Sequence, residues 1–226
     1  MSEYKLFGKP LLQQISTAVP RGEGVHEVIY ACSMLHGMDN LTPYANGSGS
    51  NGNVSYRRRS GKSIITGTGL PSKEHLRPED LATIEEFGLT NNVIKYSGKK
   101  QPSSEALLHL WLALYERANF IVHGHESTEL LYPRDGFLWE QLGIVSTANK
   151  AQAGTIDLPM SVMDAIKDRE QTEKYVVLLD HYPPWDPQHV GIVLMGENFR
   201  DTLDRATYVH EGLVSARQPL PKLARI

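Results

Sequence analysis

The stretch Gln101–Glu126 constrains the fold most, because its hydrophobic period changes halfway along QPSSEALLHLWLALYERANFIVHGHE. Between positions 107 and 115, apolar residues recur at three- and four-residue steps, which predicts a helix with one buried face. The following run FIV, at positions 120–122, is aromatic and β-branched and predicts a strand. A helix therefore leads directly into a strand, as expected for a chain with α/β content.

The start of this helix carries polar residues that suit its exposed N–H groups. Ser103 and Ser104 follow Pro102 and are typical N-cap residues. Glu105 then falls in the first turn, where the helix dipole favours negative charge. A glutamate in this position is ordinarily a helix-dipole residue, and its place alone assigns it no chemistry.

The strand ends in His-Gly-His. Side chains alternate along a strand, so His123 and His125 are expected on the same face, with Gly124 leaving room between them. Two imidazoles placed in this way can share one metal ion. Histidines also occur simply as polar residues at strand ends, and this stretch by itself leaves both interpretations open.

Two glycine-containing loops precede the helix. The first, NLTPYANGSGSNGN at Asn40–Asn53, enters an extended segment, and converging backbone N–H groups in such a loop can bind an anion. A flexible surface loop is the alternative interpretation. The second loop, Gly67-Thr68-Gly69, is a tight turn after a predicted strand at Ser63–Thr66. The nearby SGKS at Ser60–Ser63 is not a P-loop, because Tyr56 stands where the first glycine should be.

The remaining pattern predicts a mixture of helices and strands. Helical spacing is found at Pro10–Ala18, Val25–Met38, Glu79–Phe87, Leu158–Arg169 and Asn198–Ala216, and in interrupted form at Thr128–Gly143. Extended patterns are found at Asn92–Tyr96, Lys174–Leu179 and Val190–Met195.

Composition limits the class of protein. A chain of 226 residues with 40% hydrophobic content suits one compact domain, residues 1–226. The net charge of -3 gives no reason to expect nucleic acid or an anionic membrane as a partner, and no apolar stretch is long enough to span a bilayer. The only cysteine, Cys32, cannot form an internal disulfide, and the N-terminus MSEYKLFGKP lacks a signal-peptide core. We therefore expect a cytoplasmic protein.

Four short motifs, in order, resemble the class II aldolase and adducin head-domain family. They are GNVS at Gly52–Ser55, TGTG at Thr66–Gly69, PSSE at Pro102–Glu105 and VHGH at Val122–His125, and the resemblance spans about residues 25 to 212. It implies an α/β fold, a three-layer α/β/α domain with a mixed, largely antiparallel central sheet. It also implies a homotetramer with active sites between subunits.

The resemblance also implies a site. The family's phosphate-binding positions correspond here to Gly52, Asn53, Thr68, Gly69, Ser103 and Ser104. Glycine amides, hydroxyls and a helix N-terminus are all suitable anion donors. Zn2+, one per subunit, would be bound by His123, His125 and a third histidine. Glu105 would be a metal ligand at rest and the acid/base during turnover.

The third histidine is where this chain departs from the family pattern. The strand VVLLDH ends at His181, but the glycine expected shortly afterwards is displaced to Gly191 by an apparent insertion. Anchoring on Gly191 instead would place His189 beside the ligand position. His181 is the preferred ligand, because the register up to Asp180 needs no gap. A tyrosine that some family aldolases supply from a neighbouring subunit has no identifiable counterpart.

The implied function is a zinc-dependent aldolase, a carbon–carbon lyase that cleaves a phosphorylated ketose to dihydroxyacetone phosphate and an aldehyde. Three imidazoles leave metal positions open for substrate oxygens, where a Lewis acid stabilises the enediolate left by bond cleavage. Within the same family the alternatives are a sugar-phosphate epimerase and a dehydratase. A non-catalytic, adducin-like binding module is the alternative from a different class.

Overall fold

A computed structural model of the protein describes residues 9–38, 40–41, 50–131, 136–148, 150–152, 154–168, 174–178 and 189–217. The strands in these residues are β1 (Leu11–Ser16), β2 (Asn53–Arg57), β3 (Ser63–Thr66), β4 (Leu81–Gly88), β5 (Val93–Ser97), β6 (Phe120–Ser127), β7 (Ile144–Ser146), β8 (Lys174–Val177) and β9 (His189–Gly196). The helices are α1 (Val25–Gly37), α2 (Ala106–Tyr115), α3 (Thr128–Leu131), α4 (Gly136–Gln141), α5 (Asp157–Ile166) and α6 (Phe199–Arg217), with a 3-10 turn at Pro78–Asp80.

The strands form one sheet in the order β1-β5-β4-β3-β2-β6-β9-β8-β7. The β1–β5 and β7–β8 pairs at its two ends are parallel, and the other pairs are antiparallel. The central strand β6 pairs with β2 on one side and β9 on the other. A mixed, largely antiparallel sheet is thus confirmed.

Helices cover both faces of the sheet, which gives the three layers. Phe120 and Val122 of β6 pack in a core with buried residues of α1 and α6. Ile121, between them in sequence, faces the opposite core with residues of α2 and α5. Strand alternation therefore places His123 and His125 on the α2 side of the sheet.

Two helix predictions are wrong. Residues 11–16 form β1, an edge strand whose apolar residues at helical spacing are mostly solvent-exposed, so no buried helix face exists there. Residues 81–88 form β4, preceded by the 3-10 turn. Leu81 and Ala82 lie in cores on opposite faces of the sheet, so this strand is apolar on both sides. Residues 81–84 are all buried, so this strand shows no alternation of buried and exposed positions there, and such a run cannot be told from a buried helix by its period.

The other predictions agree with the structure to within a few residues. The strand at Ser63–Thr66 is confirmed in full, and the helix at Val25–Met38 ends one residue earlier, at Gly37. In the described part of the chain, every helix is too short or too polar to cross a membrane. That the whole chain is a single domain stays a prediction.

Candidate functional site

The two strand histidines lie side by side and are buried. The ring centroids of His123 and His125 are 5.1 Å apart, and their exposed fractions are 1% and 5%. His123 Nδ1 lies 3.0 Å from the carbonyl oxygen of Ile192 on the neighbouring β9. A carbonyl only accepts hydrogen bonds, so Nδ1 carries the proton and Nε2 is the nitrogen directed away from the strand pair. This is the tautomer that metal-binding histidines commonly adopt.

Helix α2 begins opposite these histidines. Its N-cap residue is Glu105, so the predictions of a serine N-cap and of Glu105 inside the first turn are wrong by one or two positions. The backbone N–H of Glu105 donates to Ser103 Oγ over 3.3 Å. Glu105 Oε2 lies 3.2 Å from His123 Nε2. The helix start and the strand end therefore bring a carboxylate and an imidazole nitrogen to the same point, as the two motifs predict.

A chain of buried side-chain hydrogen bonds orients the Glu105 carboxylate. Asn53 Nδ2 donates to Glu105 Oε2 over 2.9 Å, so Asn53 Oδ1 is left to accept. It accepts from His109 Nε2, and His109 Nδ1 accepts in turn from the Ser55 hydroxyl over 2.7 Å. These partners define His109 as the neutral tautomer protonated on Nε2. Burial, with a smaller contribution from His123, lowers the pKa of His109 to about 3.

One cavity is lined by the start of α2, the second glycine loop and residues 50, 52 and 53 at the end of the first glycine loop. Its volume is about 220 Å3. It is lined by Ser50, Gly52, Asn53, Gly67, Thr68, Gly69, Lys73, Ser103, Ser104 and Glu105. All six residues predicted to bind phosphate are among them, together with the predicted acid/base Glu105. The structure thus brings together residues that are up to 55 positions apart in the sequence, from Ser50 to Glu105.

The loop geometry depends on one glycine in particular. Gly52 has a φ of 69°, and a Cβ there would collide with the His123 carbonyl and a Leu41 methyl group. Only glycine permits this close approach of the loop to β6. On the opposite side of the cavity, Ser103 N donates to Thr66 O over 3.1 Å and Thr68 N donates to Gln101 O over 2.9 Å. These bonds join the second loop to the start of α2.

Lys73 is a cavity residue that the sequence analysis missed. It is only 3% exposed, and its Nζ donates to Ser50 O over 3.0 Å, Ser50 Oγ over 2.7 Å and Asn51 O over 3.0 Å. Burial lowers the pKa of Lys73 to about 8, against the opposing influence of Cys32 and Glu105. The side chain therefore remains a cation at neutral pH.

His109 was also missed, although a signal for it was present. It lies four residues after Glu105, and residues spaced i and i+4 share a helix face. No such spacing points to Lys73 or Ser50, because loop residues carry no period. Their roles follow only from the way the chain segments pack together.

Two of the three proposed zinc ligands, His123 and His125, lie in the described residues. In the described ranges, no group of three or more His, Cys, Asp or Glu side chains is placed to share an ion. His123 donates its Nδ1 proton to a carbonyl oxygen, which leaves Nε2 able to bind a metal ion. The Glu105 carboxylate is also a chemically suitable metal ligand. The preferred third ligand, His181, lies outside the described residues. The alternative, His189, lies on β9 opposite Ser127, and only its backbone is described.

The fold and the cavity define an α/β/α protein with a polar cleft beside a histidine pair, and sequence comparison identifies the family. Residues 27–213 match the Class II Aldolase and Adducin N-terminal domain. The chain therefore belongs to the class II aldolase and adducin family. Among curated proteins, no sequence matches it significantly.

Solved structures share the fold at low identity. YgbL from Klebsiella pneumoniae, provisionally named an aldolase/epimerase/decarboxylase, is 17% identical with a TM-score of 0.56, and the match covers 88% of this chain and 91% of that chain. YgbL from Escherichia coli, with the same provisional name, is 19% identical with a TM-score of 0.57 and coverages of 89% and 93%. The N-terminal class II aldolase domain of a conserved Thermoplasma acidophilum protein is 15% identical with a TM-score of 0.58 and coverages of 89% and 97%.

Proposed function

We propose that the protein is a zinc-dependent aldolase that cleaves a phosphorylated ketose to dihydroxyacetone phosphate and an aldehyde. The observation that carries this proposal is the single cavity that holds Glu105 and all six residues assigned to the phosphate, with Glu105 3.2 Å from His123. In such a substrate the phosphate is carried on C1, two carbons from C3, where the carbon–carbon bond breaks. A cleft with an anion-binding end next to an acid/base and an imidazole pair matches that arrangement.

The substrate's phosphate would be bound by the loops and the helix start. The hydroxyls of Thr68, Ser103 and Ser104 are donors, and the N-terminus of α2 favours negative charge. Gly52 and Gly69 let the backbone approach without side-chain obstruction. These groups would orient the sugar so that its reacting carbons lie near Glu105.

Glu105 would transfer the proton at carbon. Glu105 would accept the proton of the hydroxyl that becomes the aldehyde oxygen, and it would return a proton to the carbon left behind as an enediolate. Glu105 is the carboxylate that lines the cavity, and Asn53 fixes one of its oxygens by a hydrogen bond of 2.9 Å. When bound at the histidines, a zinc ion would supply Lewis-acid stabilisation of negative charge on the substrate oxygens.

The proposal includes one Zn2+ per subunit held by His123, His125 and His181, a homotetramer with sites between subunits, and a cytoplasmic location. The family resemblance supports the metal and the tetramer, and the single buried cysteine, Cys32, agrees with a reducing compartment. Elemental analysis and light scattering measure the metal content and the oligomeric state.

The activity is tested with a panel of ketose phosphates, incubated with purified protein with and without added zinc. We expect dihydroxyacetone phosphate and an aldehyde in equal amounts from at least one member of the panel. We expect no cleavage of the corresponding unphosphorylated ketose. Conversion to an isomeric ketose phosphate would indicate an epimerase, and loss of water a dehydratase. An absence of any conversion across the panel, in protein shown to contain zinc, would count against an aldolase.

A further inference from the structure

Lys73 is held in a way that reveals its charge state. The Ser50 hydroxyl donates its own hydrogen to Leu70 O over 2.9 Å, so towards Lys73 it only accepts. The two other partners of Lys73 are the carbonyl oxygens of Ser50 and Asn51. Three acceptors around one nitrogen require three N–H donors, which an ammonium has and a neutral amine lacks. The geometry itself therefore describes a buried cation.

The ammonium also fixes the loop that forms one wall of the cavity. Its carbonyl partners belong to the two peptide units immediately before Gly52. In a trans peptide the C=O and N–H point in opposite directions, so the N–H groups of Asn51 and Gly52 point away from the ammonium. Lys73 thus sets the orientation of the backbone at the point where Gly52 closely approaches β6.

Charge explains why a cation is needed there. Of the ten residues that line the cavity, Lys73 and Glu105 are the ionisable ones. A phosphate dianion that enters a cavity containing a carboxylate is repelled by it. A buried ammonium offsets that repulsion, and it acts more strongly than a surface charge because less water screens it.

We propose that Lys73 is the positioning and specificity residue that makes this cavity accept a phosphate dianion. It acts through its positive charge and through the Ser50–Asn51 backbone, with its own three N–H donors already committed to protein oxygens. The inference rests on the proposed function in assuming that this cavity takes the phosphate of the substrate. It goes further by naming the group that sets the preference for that charge.

The test is the affinity for inorganic phosphate, measured by calorimetry with the full-length protein near neutral pH. Lys73→Met removes the charge and the donors. Lys73→Gln removes the charge but keeps an amide donor for the loop. Lys167→Met is the matched control, because Lys167 is an exposed residue paired with Asp164 and is not among the residues that line the cavity.

We expect Lys73→Met and Lys73→Gln each to weaken phosphate binding by about ten- to a hundredfold, the range for losing an interaction with a charged group. The control should bind within about threefold of wild type. Thermal unfolding of each variant, without phosphate, verifies that it is folded. Lys73→Gln is the conservative change should Lys73→Met not fold.

The outcomes separate the inference from the proposed function. Wild-type affinity in a folded Lys73→Gln protein overturns the role of the charge and leaves the phosphate cavity intact. If both variants bind as wild type does, Lys73 has no part in anion binding. If the wild-type protein itself binds no phosphate, the anion-binding part of the proposed function fails together with the inference.

Discussion

Asn53 Nδ2 donates a hydrogen bond of 2.9 Å to Glu105 Oε2. This bond joins strand β2, which contains Asn53, to the N-cap residue of helix α2. The other amide atom of Asn53, Oδ1, accepts from His109, which fixes the direction of the amide. Asn53 is 3% exposed, so this bond is shielded from water. The geometry therefore gives Asn53 a role in orienting the Glu105 carboxylate, besides the phosphate contact that the family resemblance implies.

Replacing Asn53 distinguishes these two roles. Asn53→Ala removes a hydrogen bond to a charged group, worth about 1.5–3 kcal/mol, so we expect kcat to fall by about ten- to a hundredfold with KM changed much less. Thr68→Ala is the matched comparison, because Thr68 lines the same cavity and is solvent-exposed. It should raise KM instead. A rise in KM with unchanged kcat in Asn53→Ala would identify Asn53 as a phosphate contact alone.

His109 should make the stability of the protein depend on pH. Its folded pKa is lowered to about 3, chiefly by burial, from an ordinary value near 6.5. Between these values the unfolded chain binds a proton that the folded protein does not, so the free energy of unfolding falls as pH falls. From about pH 7.5 to pH 5 the loss from this residue is about 2 kcal/mol.

The measurement is urea unfolding of wild type and His109→Gln at both pH values. Glutamine keeps a nitrogen donor for Asn53 and an oxygen acceptor for Ser55, but it does not titrate. The difference in unfolding free energy between the two proteins should therefore move by about 2 kcal/mol in favour of the variant at the lower pH. An unchanged difference would mean that His109 is not held neutral in the folded protein.

The residues of the GNVS, TGTG and PSSE motifs line one cavity, and their roles in binding and catalysis stay predictions. Short motifs can place residues together because neighbouring positions share one helix start or one strand face. PSSE places hydroxyls and a carboxylate at one helix start, and HGH places two imidazoles on one strand face. The fold class could be anticipated through the family resemblance. The period of the hydrophobic pattern alone misassigned β1 and β4, since one is an exposed edge and the other is buried on both faces.

Contacts between the site loops, such as those of Lys73, could not be predicted in the same way. Lys73 reaches Ser50 and Asn51 across more than twenty positions of sequence, and only the packing of β2, β3 and the following loop brings them together. Nothing in the local pattern distinguishes a lysine that is 3% exposed from a solvated one. Burial is a property of the fold, and the pKa of the side chain changes with it.

The prediction of a zinc site is tested by replacing His123 and measuring bound zinc. His123→Ala removes one of three proposed imidazole ligands, so bound zinc should fall sharply from about one ion per subunit. His75→Ala is the control, because His75 is a surface histidine with a side chain 86% exposed. It should retain the zinc content of wild type in elemental analysis. A His123→Ala protein with full zinc occupancy would remove this site from consideration.

The identity of the third ligand is tested separately, with zinc occupancy as the measurement. His181→Ala should lower it more than His189→Ala does, because the strand register up to Asp180 needs no gap. In the structure His189 begins β9, and its Cα is paired with Ser127, two residues beyond His125 on β6. If His189→Ala has the larger effect, the register of the family motif must be anchored on Gly191.

The last prediction concerns Glu105, which lines the cavity and lies 3.2 Å from His123 Nε2. Glu105→Gln keeps the size of the side chain but cannot exchange a proton at neutral pH. General acid/base catalysis contributes about a hundred- to ten-thousandfold, so we expect kcat to fall by that order. Phosphate affinity should be retained, since Ser103, Ser104 and Lys73 remain and one negative charge is lost from the cavity. Glu86→Gln, a change of the same kind at an exposed residue paired with Lys95, is the control and should turn over as wild type does. Turnover of Glu105→Gln within about threefold of wild type would show that Glu105 serves only the helix dipole, which is worth less than about 1 kcal/mol of stability and nothing in catalysis.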